Sequence, residues 1–523
     1  MVFHKSNHIL IILLLPSFVI GCLDHPTNVS EIDYLGQVAP GKKATIFAAG
    51  IVSTDAMEHS AAAFSPDGTI VLWTVVPDGF SAPAYFLEMN YENQKWSPPH
   101  RVSFNDSTAD DYYPSFSPDG KKLYFSSRRK LPNGYTQSGD LRIWHIDRTE
   151  NGWGTPLPLD TAISKGHEFA HSVTNDGNLF FSSGFFSDDM NGKTGWSIYK
   201  SDLAKKTRAI TRLPYSINSM GYEDGPYIAP DGSFLIFESD RPEGRGSTDL
   251  YIAFKTNDNR WSLPLNMGSA INSTFSERFA RVSPDGRFLF FGSSRDEREG
   301  HPGFDIYWID VSIIEDLRTR VAAKEPIQEE LGTNLLTALD DGQWNEAEAL
   351  LNEWLSDHPK DADAVFNYTQ VSKRQGKFAE AYEFLTQNES LFTGNSNYAM
   401  EVALLNIGLG RQAIADTLLA PLLAEKSQQW NRYMHLSTSL FDMRKFDISD
   451  KYFKKAMAVS MWHYGYFKRG CSYARIGEQD RAFENLFLAV ENGFNDKQHF
   501  ESNAQLLRLK NTKPWQELTA KLK

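Results

Sequence analysis

Residues 112–129 read YYPSFSPDGKKLYFSSRR. An alternating polar–apolar run meets Ser117-Pro118-Asp119-Gly120, and a second alternating run follows at once. Alternation at period two is the mark of a half-buried strand. Pro-Asp-Gly between two such runs marks a tight turn: glycine accepts positive φ, and aspartate bonds its own downstream backbone. Nearly the same phrase recurs at 61–74 (AAAFSPDGTIVLWT), 171–184 (HSVTNDGNLFFSSG), 226–239 (PYIAPDGSFLIFES) and 280–293 (ARVSPDGRFLFFGS).

The turn aspartates Asp67, Asp119, Asp176, Asp231 and Asp285 are spaced 52, 57, 55 and 54 residues apart. A third strand follows in the later units, as LRIWHID (141–147), WSIYKSD (196–202), DLYIAFK (249–255) and FDIYWID (304–310). A fourth segment is announced by Trp-x-x-Pro at Trp153–Pro156 and Trp261–Pro264, and the third unit writes KKTRAITRL (205–213) instead. Four strands per unit is one blade of a β-propeller. Five phrases predict five blades, and the spacing leaves a degenerate sixth open. The segment ATIFAAGIVST (44–54) has no phrase of its own but matches the fourth segment WSLPLNMGSAINS (261–273). It is expected to complete the last blade from the N-terminal side, a clasp that removes free strand edges. The pattern over 44–318 resembles the TolB-like, WD-repeat-like propellers of bacterial envelope proteins. That resemblance implies the fold and leaves the activity open, because propellers serve as enzymes, binders and scaffolds alike.

From about residue 325 the period changes. Gly342, Gly376, Gly410, Arg444 and Gly477 are spaced 34, 34, 34 and 33 residues apart, and Ala347, Ala381, Ala415, Ser449 and Ala482 follow five residues after each. Pro359 closes the first unit. This resembles the tetratricopeptide repeat, which implies pairs of antiparallel helices stacked over 325–523. The tail 493–523 reads as a polar helical cap, and Cys471 as a buried small hydrophobe. The fold class is thus multidomain β plus α, a propeller followed by a helical solenoid.

The first 22 residues, MVFHKSNHILIILLLPSFVIGC, place Lys5 before an apolar stretch and close on Val19-Ile20-Gly21-Cys22. That is the layout of a secretory signal with an apolar core too short to span a bilayer comfortably. Its ending resembles the bacterial lipoprotein signal. The resemblance implies that residues 1–21 are removed, that Cys22 is acylated and that 22–43 form a tether. Leu23 follows the cysteine, with Asp24 one place later, which favours the outer membrane over inner-membrane retention. The expected location is therefore the cell envelope.

Net charge is −13, with 41% hydrophobic and 23% charged residues, which argues against a nucleic-acid partner. Two cysteines, Cys22 and Cys471, supply no disulfide framework. Residues 167–171, HEFAH, match His-Glu-x-x-His, but the repeat register puts them on a strand. Residues four apart on a strand lie about 13 Å apart and cannot share one zinc. No metal, cofactor or catalytic residue is expected. Eight residues before the turn aspartates stand His59, Asp111, Glu168, Glu223 and Glu277, and Arg128, Arg241 and Arg295 follow the second strands. If the first strand of each blade lines the channel, these side chains ring its mouth. They form either a ligand site or a ring of ion pairs tying the blades. The function read from the chain is a membrane-anchored scaffold for envelope proteins or peptides. The alternative is a propeller enzyme or a carbohydrate- or peptide-binding protein acting at that ring.

Overall fold

The computed structural model describes residues 32–522 apart from 78–81, 133–140, 151, 161–162, 164–167, 185–195, 206–208, 215, 220–221, 242–243, 296–302, 322–328, 341, 393–394, 425–428, 460–464 and 495–496. The signal-sequence reading and the Cys22 lipidation site fall outside the described residues.

Five antiparallel sheets follow one another in the first part of the chain. Blade 2 shows the plan. Strand Asp111–Phe116 pairs with Lys122–Ser127, which pairs with Arg142–Thr149, and short outer strands complete the sheet. Ser117 donates to the Asp119 carboxylate at 2.6 Å, the Lys121 amide donates to the same oxygen, and Gly120 takes φ 69°. The other four turn glycines, Gly68, Gly177, Gly232 and Gly286, also have φ between 69° and 83°. The repeated phrase is therefore a repeated turn.

The first strands lie innermost and touch their neighbours. Ser172 of blade 3 donates to the Pro226 carbonyl of blade 4 and accepts from the Ile228 amide, both at 2.8 Å. The apolar cores lie between blades rather than within them. Leu72, Phe86, Phe125 and Ile146 join blades 1 and 2, and Leu250, Ile252, Leu289 and Ile309 join blades 4 and 5.

The ring closes as a clasp. Thr45–Ile46 pairs with Asp305–Asp310, with Thr45 opposite Trp308, and completes blade 5. Phe47 is fully buried between Phe64 of blade 1 and Phe290 and Trp308 of blade 5. Packing begins earlier than the expected boundary at 44. Ile32 and Tyr34, within the stretch read as tether, are each 5% exposed. Tyr34 packs on Phe64 and Phe288 and donates to the Asp285 carboxylate at 2.7 Å. The polar residues around them hid a short apolar plug for the blade 5–blade 1 seam.

Helix Ser312–Val321 packs Ile314 and Leu317 against blades 4 and 5. Five helix pairs then follow, from Glu329–Asp340 with Trp344–Asp357 to Gly465–Ile476 with Gln479–Glu491. The residues picked out by the 34-residue period do what their types suggest. Gly342, Gly376, Gly410 and Gly477 end the first helix of a pair with φ between 67° and 86°, a left-handed C-terminal stop. Ala347, Ala381, Ala415, Ser449 and Ala482 are all completely buried. Ser449 keeps its hydroxyl satisfied by donating to the Ser437 carbonyl at 2.5 Å. The tail caps the stack by burying Phe500, Leu506 and Leu518, beside Cys471 in the same core.

Arg444 occupies the fourth left-handed stop at φ 56° and is exposed. A side chain there costs about 1 kcal/mol that glycine does not. Arg444→Gly is expected to stabilise the helical array by about that amount, read as an upward shift of its urea midpoint.

Candidate binding cleft between the propeller and the helical array

The sequence-derived ring lies at the entry of the innermost strands. Asp111, Glu168, Glu223 and Glu277 are buried at the starts of their strands. Arg295 reaches Glu277 at 3.1 Å, while Ser273 donates to that carboxylate from both its amide and its hydroxyl at 2.7 Å. Arg241 lies 3.9 Å from Glu223 and donates to the Ile217 carbonyl at 2.8 Å.

Two residues chosen from the sequence are displaced by one place: Arg129, not Arg128, stands ten residues after its turn aspartate as Arg241 and Arg295 do, and blade 1 breaks the register itself. The partner of Asp111 is Arg129, with bonds at 3.1 and 2.6 Å; Arg128 pairs with Asp110 on the more open rim. In blade 1 the ring position is Glu58, which accepts from the Thr54 amide and hydroxyl as Glu277 does from Ser273. His59 turns inward instead. The inner strand of blade 1 is split into Met57–Glu58 and Ala63–Phe64, so counting back from Asp67 slips by one.

The axis is filled. Tyr113 donates or accepts at 3.2 Å with His59 Nδ1 and packs on Phe169 and Phe279 at 4.5 and 4.8 Å between ring centroids. Arg281 crosses from blade 5 to Ser115 Oγ of blade 2 at 2.8 Å and to the His171 carbonyl of blade 3 at 3.3 Å. Burial, with Arg278 nearby, lowers His59 to about 3; burial, with Arg281 nearby, lowers His171 to about 4, so both imidazoles are neutral at pH 7. His171 lies on strand Glu168–Val173, as the register required, and His167 falls outside the described residues. Among the described residues no group of three or more His, Cys, Asp or Glu could hold a metal ion.

Beside the axis, Arg278 joins two buried carboxylates. It donates to Glu238 at 2.6 Å and to Asp224 at 3.3 Å, and the Phe279 amide donates to Glu238 at 2.8 Å. Burial pushes the Glu238 carboxyl up to about 7 against the pull of Arg278. Tyr222 donates its hydroxyl to Asp224 and accepts from Arg278.

Tyr222 also forms part of the floor of a 270 Å³ cleft where blade 4 meets the helical array. The propeller wall carries Ser219, Asp240 and Arg241. The opposite wall comes from the first helices of pairs two to four, Ala362–Arg374, Ser396–Gly408 and Gln429–Asp442. The modules are joined here by polar contacts. Arg241 pairs with Asp363, Asn397 Nδ2 donates to the Asp240 carbonyl at 3.1 Å, and Asn395 Nδ2 donates to the Gly244 carbonyl at 3.0 Å. Asn395 is also the N-cap of helix Ser396–Gly408, accepting from the Asn397 and Tyr398 amides. Thus Arg241, read from sequence as a ring residue, serves both its own blade and the neighbouring module. No sequence signal marks the cleft, because its walls belong to two repeats with different periods.

Residues 338–400 match the family model described as tetratricopeptide repeat. No curated protein sequence matches the chain. Among solved structures, a protein described as TolB from Agrobacterium tumefaciens aligns at 18% identity over 46% of this chain and 70% of its own, with a TM-score of 0.32. MamA aligns at 17% identity over 30% of this chain and 92% of its own, with a TM-score of 0.21. The Penicillium chrysogenum alpha-L-arabinanase complexed with arabinobiose aligns at 14% identity over 47% and 72%, with a TM-score of 0.30. Likenesses at these scores carry no argument about activity. On its own strands, helices and repeat match, the chain joins a five-bladed propeller to a helical array, of which residues 338–400 match the tetratricopeptide repeat.

Proposed function

We propose that the chain is a lipid-anchored scaffold of the bacterial cell envelope, held at the outer membrane through Cys22, that gathers protein or peptide partners. A propeller joined to a tetratricopeptide array fits a protein-interaction scaffold. The observation that carries the reading is the cleft: the first helices of three repeats turn polar side chains toward a rigid propeller wall. The ring carboxylates support it from the other side. They are engaged by arginine of their own blade and by serine or threonine of the segment leading in from the preceding blade, as structural ties would be. Tethering raises the local concentration of partners, so weak contacts suffice.

The test uses the full chain as bait from native membranes. Wild type is expected to retain a stoichiometric protein, and Gln370→Arg with Thr438→Arg, which fill the cleft, to lose it. Absence of any retained protein, or its retention by the filled variant, would sink the reading. Cys22→Ser is expected to move the protein from the membrane pellet to the soluble fraction; a variant that stays in the pellet refutes the anchor.

A further inference from the structure

Among the described residues, the lysine and the arginines that line the cleft are committed within the molecule. Arg241 holds Asp363 and Glu223, Lys373 donates to Glu401 at 2.5 Å, and Arg374 pairs with Asp442 at 3.0 Å. Lys373 and Glu401 are nearly sealed from solvent, with side chains 4% and 1% exposed. One further acid lines the cleft. Asp240 accepts from the Tyr222 amide at 2.9 Å and, among the described residues, has no lysine or arginine in salt-bridge contact. Across the cleft stands His435, close enough for the two charges to interact. Burial keeps that imidazole below its ordinary value, so it supplies no cation at neutral pH. Burial also raises the Asp240 carboxyl against the weaker pull of His435 and of Arg241, whose guanidinium is turned to Asp363 and Glu223. The remaining polar lining, Asn367, Gln370 and Thr438 among it, is neutral.

We propose that the cleft receives one cationic side chain, an ammonium or guanidinium, from a partner polypeptide, with Asp240 as its counter-ion. The inference rests on the scaffold reading and names the chemistry of its partner. A volume of 270 Å³ lies just below the usual range for ligand pockets, which begins at about 300 Å³, so it suits one long side chain rather than a folded segment. The site exists only where the two modules meet. A ligand bound there contacts both walls, so occupancy strengthens their docking by linkage.

The probe is the capped tripeptide acetyl-Gly-Arg-Gly-amide, titrated into the full chain in detergent and followed by calorimetry. Its counterparts carry citrulline, the neutral isostere, or glutamate in place of arginine. The arginine peptide is expected to bind at least about tenfold more tightly than either. Asp240→Asn should abolish that preference while the chain unfolds at the wild-type urea midpoint. Thr438→Arg supplies a cation from within the cleft and should also abolish binding, which keeps the test decisive if Asp240→Asn misfolds. Equal binding of the citrulline peptide, or an unchanged preference in either variant, overturns the inference. A wild-type chain that captures its membrane partner but does not prefer the arginine peptide overturns this inference alone and leaves the scaffold reading standing.

Discussion

Arg278→Met is expected to destabilise the propeller by about 3–5 kcal/mol, the usual consequence of removing one partner from a buried ion pair. Asp224 and Glu238 are both fully buried, and Arg278 is the cation that reaches both. Methionine fills much of the volume but leaves two carboxylates facing each other. The effect should depend on pH. Burial raises Glu238 to about 7 in the folded chain, above its ordinary 4.5. A raised carboxyl binds more protons folded than unfolded, so its stabilising share is complete below about pH 4.5 and is lost as pH rises through about 7. The Arg278→Met penalty should therefore be larger at about pH 8 than at about pH 5.5 in urea unfolding. Adding Glu238→Gln should recover part of it and flatten the pH dependence. A penalty independent of pH and untouched by the second substitution would show that packing, not charge, governs the site.

The second large effect concerns the clasp. Phe47→Ala should cost about 3–5 kcal/mol, the range for emptying a fully buried phenylalanine site. Phe47 contacts rings of the first and last blades, so the cavity opens on the seam itself. A chain beginning at residue 55 should fare worse. It lacks the fourth strand of blade 5 and the Ile32–Tyr34 plug, and it exposes the edge of Asp305–Asp310. Unpaired edges template association. Light scattering and analytical ultracentrifugation should find Phe47→Ala monomeric with a lowered urea midpoint, and the truncated chain aggregated. A monomeric truncated chain with wild-type stability would show that the clasp is dispensable.

What the sequence made legible was local and periodic. The turn phrase needs glycine at positive φ and an aspartate bonded two residues on, and both requirements are written in adjacent letters. The 34-residue period marks left-handed stops and sites of close helix approach, where only small residues fit. The ring was read less well. Counting back from the turn assumes inner strands of equal length, and the split strand of blade 1 breaks that assumption. A better guide was available in the pairing chemistry. Thr54 with Glu58, Ser219 with Glu223 and Ser273 with Glu277 each lie four apart. Asp111 with Arg129 and Glu277 with Arg295 lie eighteen apart. That pattern selects Glu58 and Arg129 over His59 and Arg128. The filled axis and the cleft had no such signature. Each arises from side chains brought together across blades or across modules, and no spacing in the chain encodes that meeting.

The clasp also sets the order in which this molecule can be made. Ser53 and Ile306 bond each other across 253 residues of chain. A ribosome adds some 5–20 residues per second, so the N-terminal strand must wait more than ten seconds for its partner strand to exist. Until then blades 1 to 4 form an open arc whose early edge is bare. Contacts this distant in sequence also slow the search for the native state. The growing chain is thus most vulnerable between synthesis of the clasp strand and synthesis of blade 5, and closure of the ring trails its first strand by 253 residues of translation.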